Sequence, residues 1–82
     1  MIKVLYLMNN QILISQIEEV GADIGEPDCK LVNPFVVGSG KTLEPFLMGV
    51  TKEDTFMMSS YKILTLADPT PTLLEKYEDL IK

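Results

Sequence analysis

Two short apolar runs joined at Asn9-Asn10 restrict what this chain can fold into more than any other feature. Residues 4–20 read VLYLMNNQILISQIEEV, and both runs are rich in strand-forming side chains. Because asparagine tolerates a positive φ better than other residues with a side chain, the pair predicts a tight reversal. The stretch therefore predicts a β-hairpin around which the rest of the chain is organised.

The spacing of apolar residues predicts that the second strand of this hairpin bends. The first run, at 2–8, is apolar on both parities, which suits a strand covered on both faces. In the second run Ile12 and Ile14 share one face, but Ile17 follows at an odd spacing. A bulge or sharp bend near Ser15-Gln16 explains the change. Since bent strands curl small sheets into barrels, a strongly bent sheet is expected.

Downstream of the hairpin, the pattern predicts further strands separated by reversals. These strands are expected at 29–37, 43–50, 55–60 and 61–67, with a polar reversal at 51–54. Pro34 has no amide hydrogen to donate to a ladder, so it must lie at a sheet edge or at a bulge.

The C-terminal residues predict a short amphipathic helix at 71–82. Thr70 is a suitable N-cap, and Pro71 suits the first helical position. The predicted apolar stripe consists of Leu73, Leu74, Tyr77, Leu80 and Ile81. A helix of this length is marginal alone, so we expect it to dock on the sheet.

Composition limits the chain to a few classes of protein. At 82 residues it has room for a single domain, residues 1–82, with one small core. The net charge of −5 argues against nonspecific binding to phosphate backbones, although a few lysines can still share one face. The apolar runs are too short to span a bilayer and no signal sequence is recognised, so no membrane association is expected. A single cysteine is typical of the reducing cytoplasm, which is the expected location.

Three features that resemble catalytic or metal sites each lack an essential part. Cys29 has no histidine to act as base or co-ligand, since the chain contains none. The acids of the loop at 21–28 lack the spacing of an EF-hand calcium site. Residues 38–42 read GSGKT, as at the end of a phosphate-binding loop, but Phe35 stands where the first glycine belongs and Glu44-Pro45 stops a following helix. We therefore expect no enzymatic activity, metal, cofactor or small-molecule substrate.

The last two strands carry apolar residues on both faces, which suggests that a partner subunit covers one of them. The candidate interface residues are Phe56, Met57, Met58, Ile63 and Leu64. Met58→Asp is accordingly expected to give monomers or aggregates. The alternative is that the methionines, together with Met48, form an adaptable part of the core.

The order of these elements, together with two motifs, resembles the Sm-like (LSm-type) protein family. The segment LMNNQILISQIEEV at 7–20 is similar to the family's first motif, in which a hydrophobic strand and a short turn precede a strand with a small residue, here Ser15, at its bend. The segment FMMSSYKILTL at 56–66 is similar to the second motif, a hydrophobic strand, a tight break and a final strand. The resemblance covers about residues 2–66. It implies a mainly β fold, a small, strongly bent five-stranded antiparallel open barrel of the Sm-like or SH3-like type, with the C-terminal α-helix following it.

The resemblance also implies a homo-oligomeric ring that binds single-stranded RNA near its pore, with the fourth strand of one subunit paired to the fifth of the next. The RNA-binding candidates that it implies are Lys30, Asn33, Ser59, Ser60, Tyr61 and Lys62, and Asp23 or Asp28 matches an aspartate of the family's loop. Tyr61 is expected to stack on a base, with Lys62 or Lys30 on phosphate. Packing of Tyr61 between subunits is an equal alternative.

A second hypothesis is an oligomeric protein-interaction or structural scaffold that binds no nucleic acid. The acidic net charge favours it. So does Ser59-Ser60, which replaces the Arg/Lys-Gly pair of the family's second motif and removes a cation that packs on a base. The family's N-terminal helix has no counterpart, because the first strand begins almost at Met1, and the helix at 71–82 is the candidate for its position.

Overall fold

A computed structural model describes all 82 residues and shows six antiparallel strands followed by one helix. The elements are β1 (Ile2–Leu7), β2 (Ile12–Glu19), β3 (Cys29–Val37), β4 (Leu43–Pro45), β5 (Thr55–Met58), β6 (Ile63–Ala67) and α1 (Pro71–Leu80). The sheet order is β4-β3-β2-β1-β6, and β5 also pairs with β3. The prediction of a mainly β, antiparallel fold with a C-terminal helix is confirmed.

The hairpin of β1 and β2 lies in the middle of this sheet, and its turn is the predicted one. Asn10 takes a φ of 67°, and its amide donates to the Leu7 carbonyl at 3.0 Å. The Tyr6 hydroxyl donates to the Asn10 side-chain oxygen at 2.9 Å, which holds the turn against β1. An asparagine in the left-handed region is what the pair of asparagines predicts here.

A bulge interrupts the pairing of β2 with β3. The register shifts between Ile14 and Gln16, where the sequence predicts a bulge or bend. Opposite the shift β3 has two residues, Asn33 and Pro34, against Ser15 alone in β2. The additional residue is therefore in β3, and Asn33 accommodates it with a φ of 53°. Pro34 consequently lies at a bulge.

The outer edge of β3 is shared by two short strands, so the sheet has six strands instead of the predicted five. Residues 29–32 of β3 pair with β5, and residues 35–37 pair with β4. The strand predicted at 43–50 ends at Pro45, because Leu47 (φ 58°) and Gly49 (φ 81°) turn the chain. The strand predicted at 55–60 ends at Met58. No ladder joins β5 to β6, and the sheet is not closed.

The hydrophobic core occupies one face of the sheet, and the helix covers part of the other. Four fully buried or nearly buried leucines form the core, namely Leu5, Leu7, Leu13 and Leu31. On the opposite face Tyr77 of α1 packs edge-on against Phe35, with ring centroids 5.8 Å apart. Each fully buried leucine contributes about 1.5–3 kcal/mol, so these residues contribute substantially to the stability of the fold.

Helix α1 begins as predicted, but its apolar stripe is narrower. The Thr70 hydroxyl oxygen accepts the Leu73 amide at 3.3 Å, and Pro71 occupies the first turn. Tyr77 is fully buried, whereas Leu80 is half exposed and lies outside the packed stripe. The helix ends at Leu80, two residues before its predicted end. With ten residues, it lacks the length and apolar character needed to cross a membrane.

Candidate functional site

The turn that connects β5 to β6 carries four of the predicted site residues and is held at both ends. Residues Ser60–Lys62 form one turn of 3-10 helix, in which the Ser59 hydroxyl oxygen accepts the Tyr61 amide at 3.3 Å. The Lys62 amide donates to the Ser59 carbonyl at 3.0 Å. The Lys62 carbonyl accepts the Met8 amide at 3.0 Å, which ties the turn to the end of β1.

Asp28 fixes the start of this turn from the opposite loop. Its carboxylate accepts the Ser60 amide and the Ser60 hydroxyl, each at 2.7 Å. These hydrogen bonds lower the pKa of Asp28 from its ordinary value, since they stabilise the ionised form. At neutral pH an ionised carboxylate therefore joins the β2–β3 loop to the β5–β6 turn.

The side chains that this turn presents to solvent are an aromatic ring and an ammonium group on adjacent residues. Tyr61 is 78% exposed, and Lys62 is also exposed. Neither of the two ion pairs in the protein, Lys3–Asp68 and Lys82–Asp79, involves Lys62. An exposed ring beside a free cation can stack on a base and contact its phosphate.

The other two RNA-binding candidates lie on β3, and only one of them is near the turn. Lys30 pairs with Met57 in the ladder of β3 with β5. It is the second residue of β3 and follows Asp28 by two residues, so it lies near the turn. Asn33 follows the last pair of that ladder, and its amide donates to the Asp54 carbonyl at 2.7 Å. At about 3.3 Å per residue, Asn33 is about 16 Å along the strand from Asp28. Asn33 therefore does not join Tyr61 and Lys62 in one site.

The contact of Asp28 with Ser60 is what sequence reasoning missed. From the sequence, the loop at 21–28 is acidic and lacks the spacing of a calcium site, and the resemblance leaves open whether Asp23 or Asp28 matches the family's aspartate. The sequence near Asp28 shows only an aspartate directly before a strand. It does not indicate that the hydrogen-bond partner of Asp28 lies 32 residues away. No group of three or more histidine, cysteine, aspartate or glutamate side chains in the protein is placed to hold a metal ion.

An open groove lies beside the turn, between β6 and the first residues of β1 and β3. Its volume is about 470 Å³. Most of its lining is apolar and includes Met1, Ile17, Cys29, Ile63, Leu64 and Leu66. Burial raises the pKa of the Cys29 thiol, and the negative charges of Asp28 and Glu19 raise it further, so the thiol is protonated at neutral pH and is a poor nucleophile.

The strands on either side of the turn each have a free edge. β5 pairs only with β3, and β6 pairs only with β1. Among the predicted interface residues, Met57 and Leu64 are about half exposed, whereas Phe56, Met58 and Ile63 are partly buried. Met58 and Ile63 pack against the protein's own core, so they also contribute to the fold of the single chain.

The GSGKT segment does not form a phosphate-binding loop. Residues Ser39–Lys41 make a 3-10 turn, with φ values of 70° at Gly40 and 61° at Lys41, and strand β4 follows. The Lys76 ammonium group donates to the Lys41 carbonyl at 3.1 Å. Because no helix begins at this loop, the dipole and the free amides that bind phosphate in such motifs are missing.

Comparison with known proteins gives a family but no activity. No curated protein matches the chain. The sequence pattern of a family of unknown function, DUF6561, matches residues 1–82, which is the whole chain. The protein therefore belongs to the DUF6561 family.

Proposed function

We propose that this protein is a divergent Sm-like protein that assembles into a homo-oligomeric ring and binds single-stranded RNA near the pore. The observation that carries the proposal is the turn at 59–62. It connects the two strands with free edges and presents Tyr61 and Lys62 to solvent. The turn at 59–62 therefore lies next to the proposed assembly edges and also forms the proposed binding surface.

The strand order supports the assembly step. β5 lies at one side of the sheet and β6 at the other, so the free edge of one copy is complementary to the opposite free edge of the next. If β4 and β5 are counted together as one interrupted strand, the sheet has five strands with the fourth and fifth at its two edges, which suits the pairing between subunits that the Sm-like resemblance implies. A contact between two different edges propagates from copy to copy, and it closes into a ring when the rotation between copies allows. Pairing would also cover the half-exposed Met57 and Leu64.

RNA binding by this protein would rely on repetition of the turn, because one turn offers only one aromatic side chain, Tyr61, and one cation, Lys62. A stacked base contributes about 1–3 kcal/mol, which is weak for a single site. In a ring the turn recurs in every subunit, and contacts along one RNA strand then add through their high effective concentration. Since the chain has a net charge of −5, binding is expected to be strongest at low salt.

A ring that serves as a protein-interaction scaffold is the second candidate function. The net charge of −5 favours it, and so does the presence of only one lysine in the turn. In this alternative Tyr61 packs between subunits.

Fluorescence anisotropy with labelled oligo(U) and oligo(A) at low salt tests the RNA proposal. We expect binding by the wild-type protein and roughly tenfold weaker binding by Tyr61→Ala. Lys62→Gln is expected to reduce the salt dependence, whereas Lys82→Gln, with the same loss of charge at the C-terminus, leaves binding unchanged. A ring that binds neither oligonucleotide at low salt would leave the scaffold as the function.

A further inference from the structure

We propose that a cleft between β4 and β5 binds an arginine side chain in an apolar segment of another protein. The cleft has a volume of about 280 Å³ and opens beside the bulge of β3, where β3 changes partners. The lining residues that bear on binding are Asn33, Phe46, Lys52, Glu53, Asp54 and Phe56. The proposal is independent of RNA binding, because none of these residues lies in the turn at 59–62.

Two aromatic rings line the cleft at right angles to each other. The centroids of Phe46 and Phe56 are 5.6 Å apart, with an angle of 85° between the ring planes. Both side chains are partly buried, and Phe46 also packs against the core, so their positions are fixed by the fold. The faces of aromatic rings carry partial negative charge and attract cations, arginine most often.

The rim of the cleft is acidic. Lys52, Glu53 and Asp54 line it with a net charge of −1, and neither acid takes part in an ion pair. A guanidinium group stacks on aromatic rings and pairs with carboxylates through planar, paired hydrogen bonds. A rim with this net charge favours a cation over the phosphate of a nucleic acid. The net charge of −5 on the whole chain attracts a basic partner in the same way.

Asn33 contributes a polar side chain to the lining of the cleft. Its backbone amide donates to the Asp54 carbonyl at 2.7 Å, and its backbone carbonyl accepts the Tyr77 hydroxyl at 2.8 Å. The backbone, at a φ of 53°, is therefore held from both sides, while the side-chain amide makes no hydrogen bond within the protein. Its amide oxygen is available to a guanidinium donor.

The turn beside the cleft explains why the partner segment should be apolar around its arginine. Met48 is 69% exposed and Val50 is 79% exposed, in a turn where Leu47 and Gly49 take positive φ values. Exposed apolar side chains grouped beside a polar rim are typical of protein interaction surfaces. Apolar residues on both sides of the arginine would cover them.

NMR titration of the ¹⁵N-labelled protein with the capped tripeptide Leu-Arg-Leu tests the proposal. We expect saturable shifts of the Asn33, Asp54 and Phe56 amides, and about fivefold weaker binding of the same peptide with norleucine in place of arginine. Asp54→Asn is expected to weaken binding of the arginine peptide about threefold. Glu26→Gln removes an equal charge from the exposed β2–β3 loop and should leave the affinity unchanged.

Four results would overturn the proposal: equal affinity for the two peptides, shifts centred elsewhere, no saturable shifts, or no loss of affinity in Asp54→Asn. Shifts of the same amides by oligo(U) would identify the cleft as a nucleic-acid site instead. A lower mass by light scattering for Met48→Ser than for the wild type would show that a second copy of the chain occupies the cleft. Tyr61→Ala should bind the peptide as well as the wild type does, which separates this site from the proposed RNA site.

Discussion

Asp28 and Ser60 are joined by two hydrogen bonds of 2.7 Å, one from the serine amide and one from its hydroxyl. The pair connects the β2–β3 loop to the turn between β5 and β6, which carries the exposed Tyr61. Because a carboxylate accepts both bonds, the conformation of the turn depends on a charge outside the turn itself. This relationship makes Asp28 a positioning residue for the proposed RNA-binding surface.

Asp28→Asn is expected to loosen the turn without unfolding the protein. An amide side chain accepts hydrogen bonds more weakly than a carboxylate, and the site is exposed, so the effect is local. Amide hydrogen exchange at Ser60 and Tyr61 should become roughly two- to tenfold faster. Asp23→Asn, a matched change in the same loop, should leave these rates unchanged. If exchange in Asp28→Asn equals that of the wild type, Asp28 does not position the turn.

The same contact predicts a dependence on pH. The folded-state pKa of Asp28 is lowered from its ordinary value of 3.8, so its contribution is fully present above that value. The contribution is lost as the pH falls through the lowered pKa. NMR titration of the Asp28 carboxyl carbon should therefore give a midpoint below 3.8. The same titration in Ser60→Ala should return the midpoint toward the ordinary value, and a wild-type midpoint at or above it would contradict the contact.

Tyr77→Phe is expected to destabilise the fold while leaving the helix docked. The hydroxyl accepts the Gln16 amide at 3.2 Å and lies 2.8 Å from the Asn33 carbonyl, so it satisfies backbone groups beside the bulge. Its loss should lower the free energy of unfolding by about 1–2 kcal/mol, as measured by urea denaturation at fixed protein concentration. Tyr6→Phe removes an exposed hydroxyl bonded to the hairpin turn and should cost less. Equal losses in the two variants would show that the bulge does not need Tyr77.

Leu64→Asp is expected to abolish assembly while the single chain stays folded. Leu64 lies on the free-edge strand β6 and is 57% exposed, whereas Met58 packs on the core, so Met58→Asp would damage the fold as well. Size-exclusion chromatography should give monomers of Leu64→Asp with an unchanged circular dichroism spectrum. Leu80→Asp, at a half-exposed leucine of α1, is the matched control and should assemble normally. Normal assembly of Leu64→Asp would exclude β6 as an assembly edge.

The features that sequence predicts here are those coded by neighbouring residues. The turn at Asn9-Asn10 and the cap at Thr70 depend on local backbone preferences, and both are present. The strand at 43–50 is shorter than predicted, because its apolar composition conceals the left-handed conformation of Leu47. The contact of Asp28 with Ser60 is invisible in the sequence, because it depends on the long-range pairing of β3 with β5.

The predicted site is divided for the same reason. Asn33 is grouped with Tyr61 from the resemblance alone, yet it lies at the opposite end of the β3–β5 ladder. It lies between the residues of β3 that pair with β5 and those that pair with β4, and the bulge opposite Ser15 is at the same point of the strand. A periodic pattern indicates that a bend exists, but it does not show which strand carries the additional residue.

Mass measurement by light scattering on the purified wild-type protein tests the central claim most directly. A single chain has a mass of 9.2 kDa. Assembly through the free edges of β5 and β6 predicts one discrete particle whose mass is a whole multiple of this value and does not change on moderate dilution. A monomer at all concentrations would contradict the ring, and with it both the RNA-binding and the scaffold proposals.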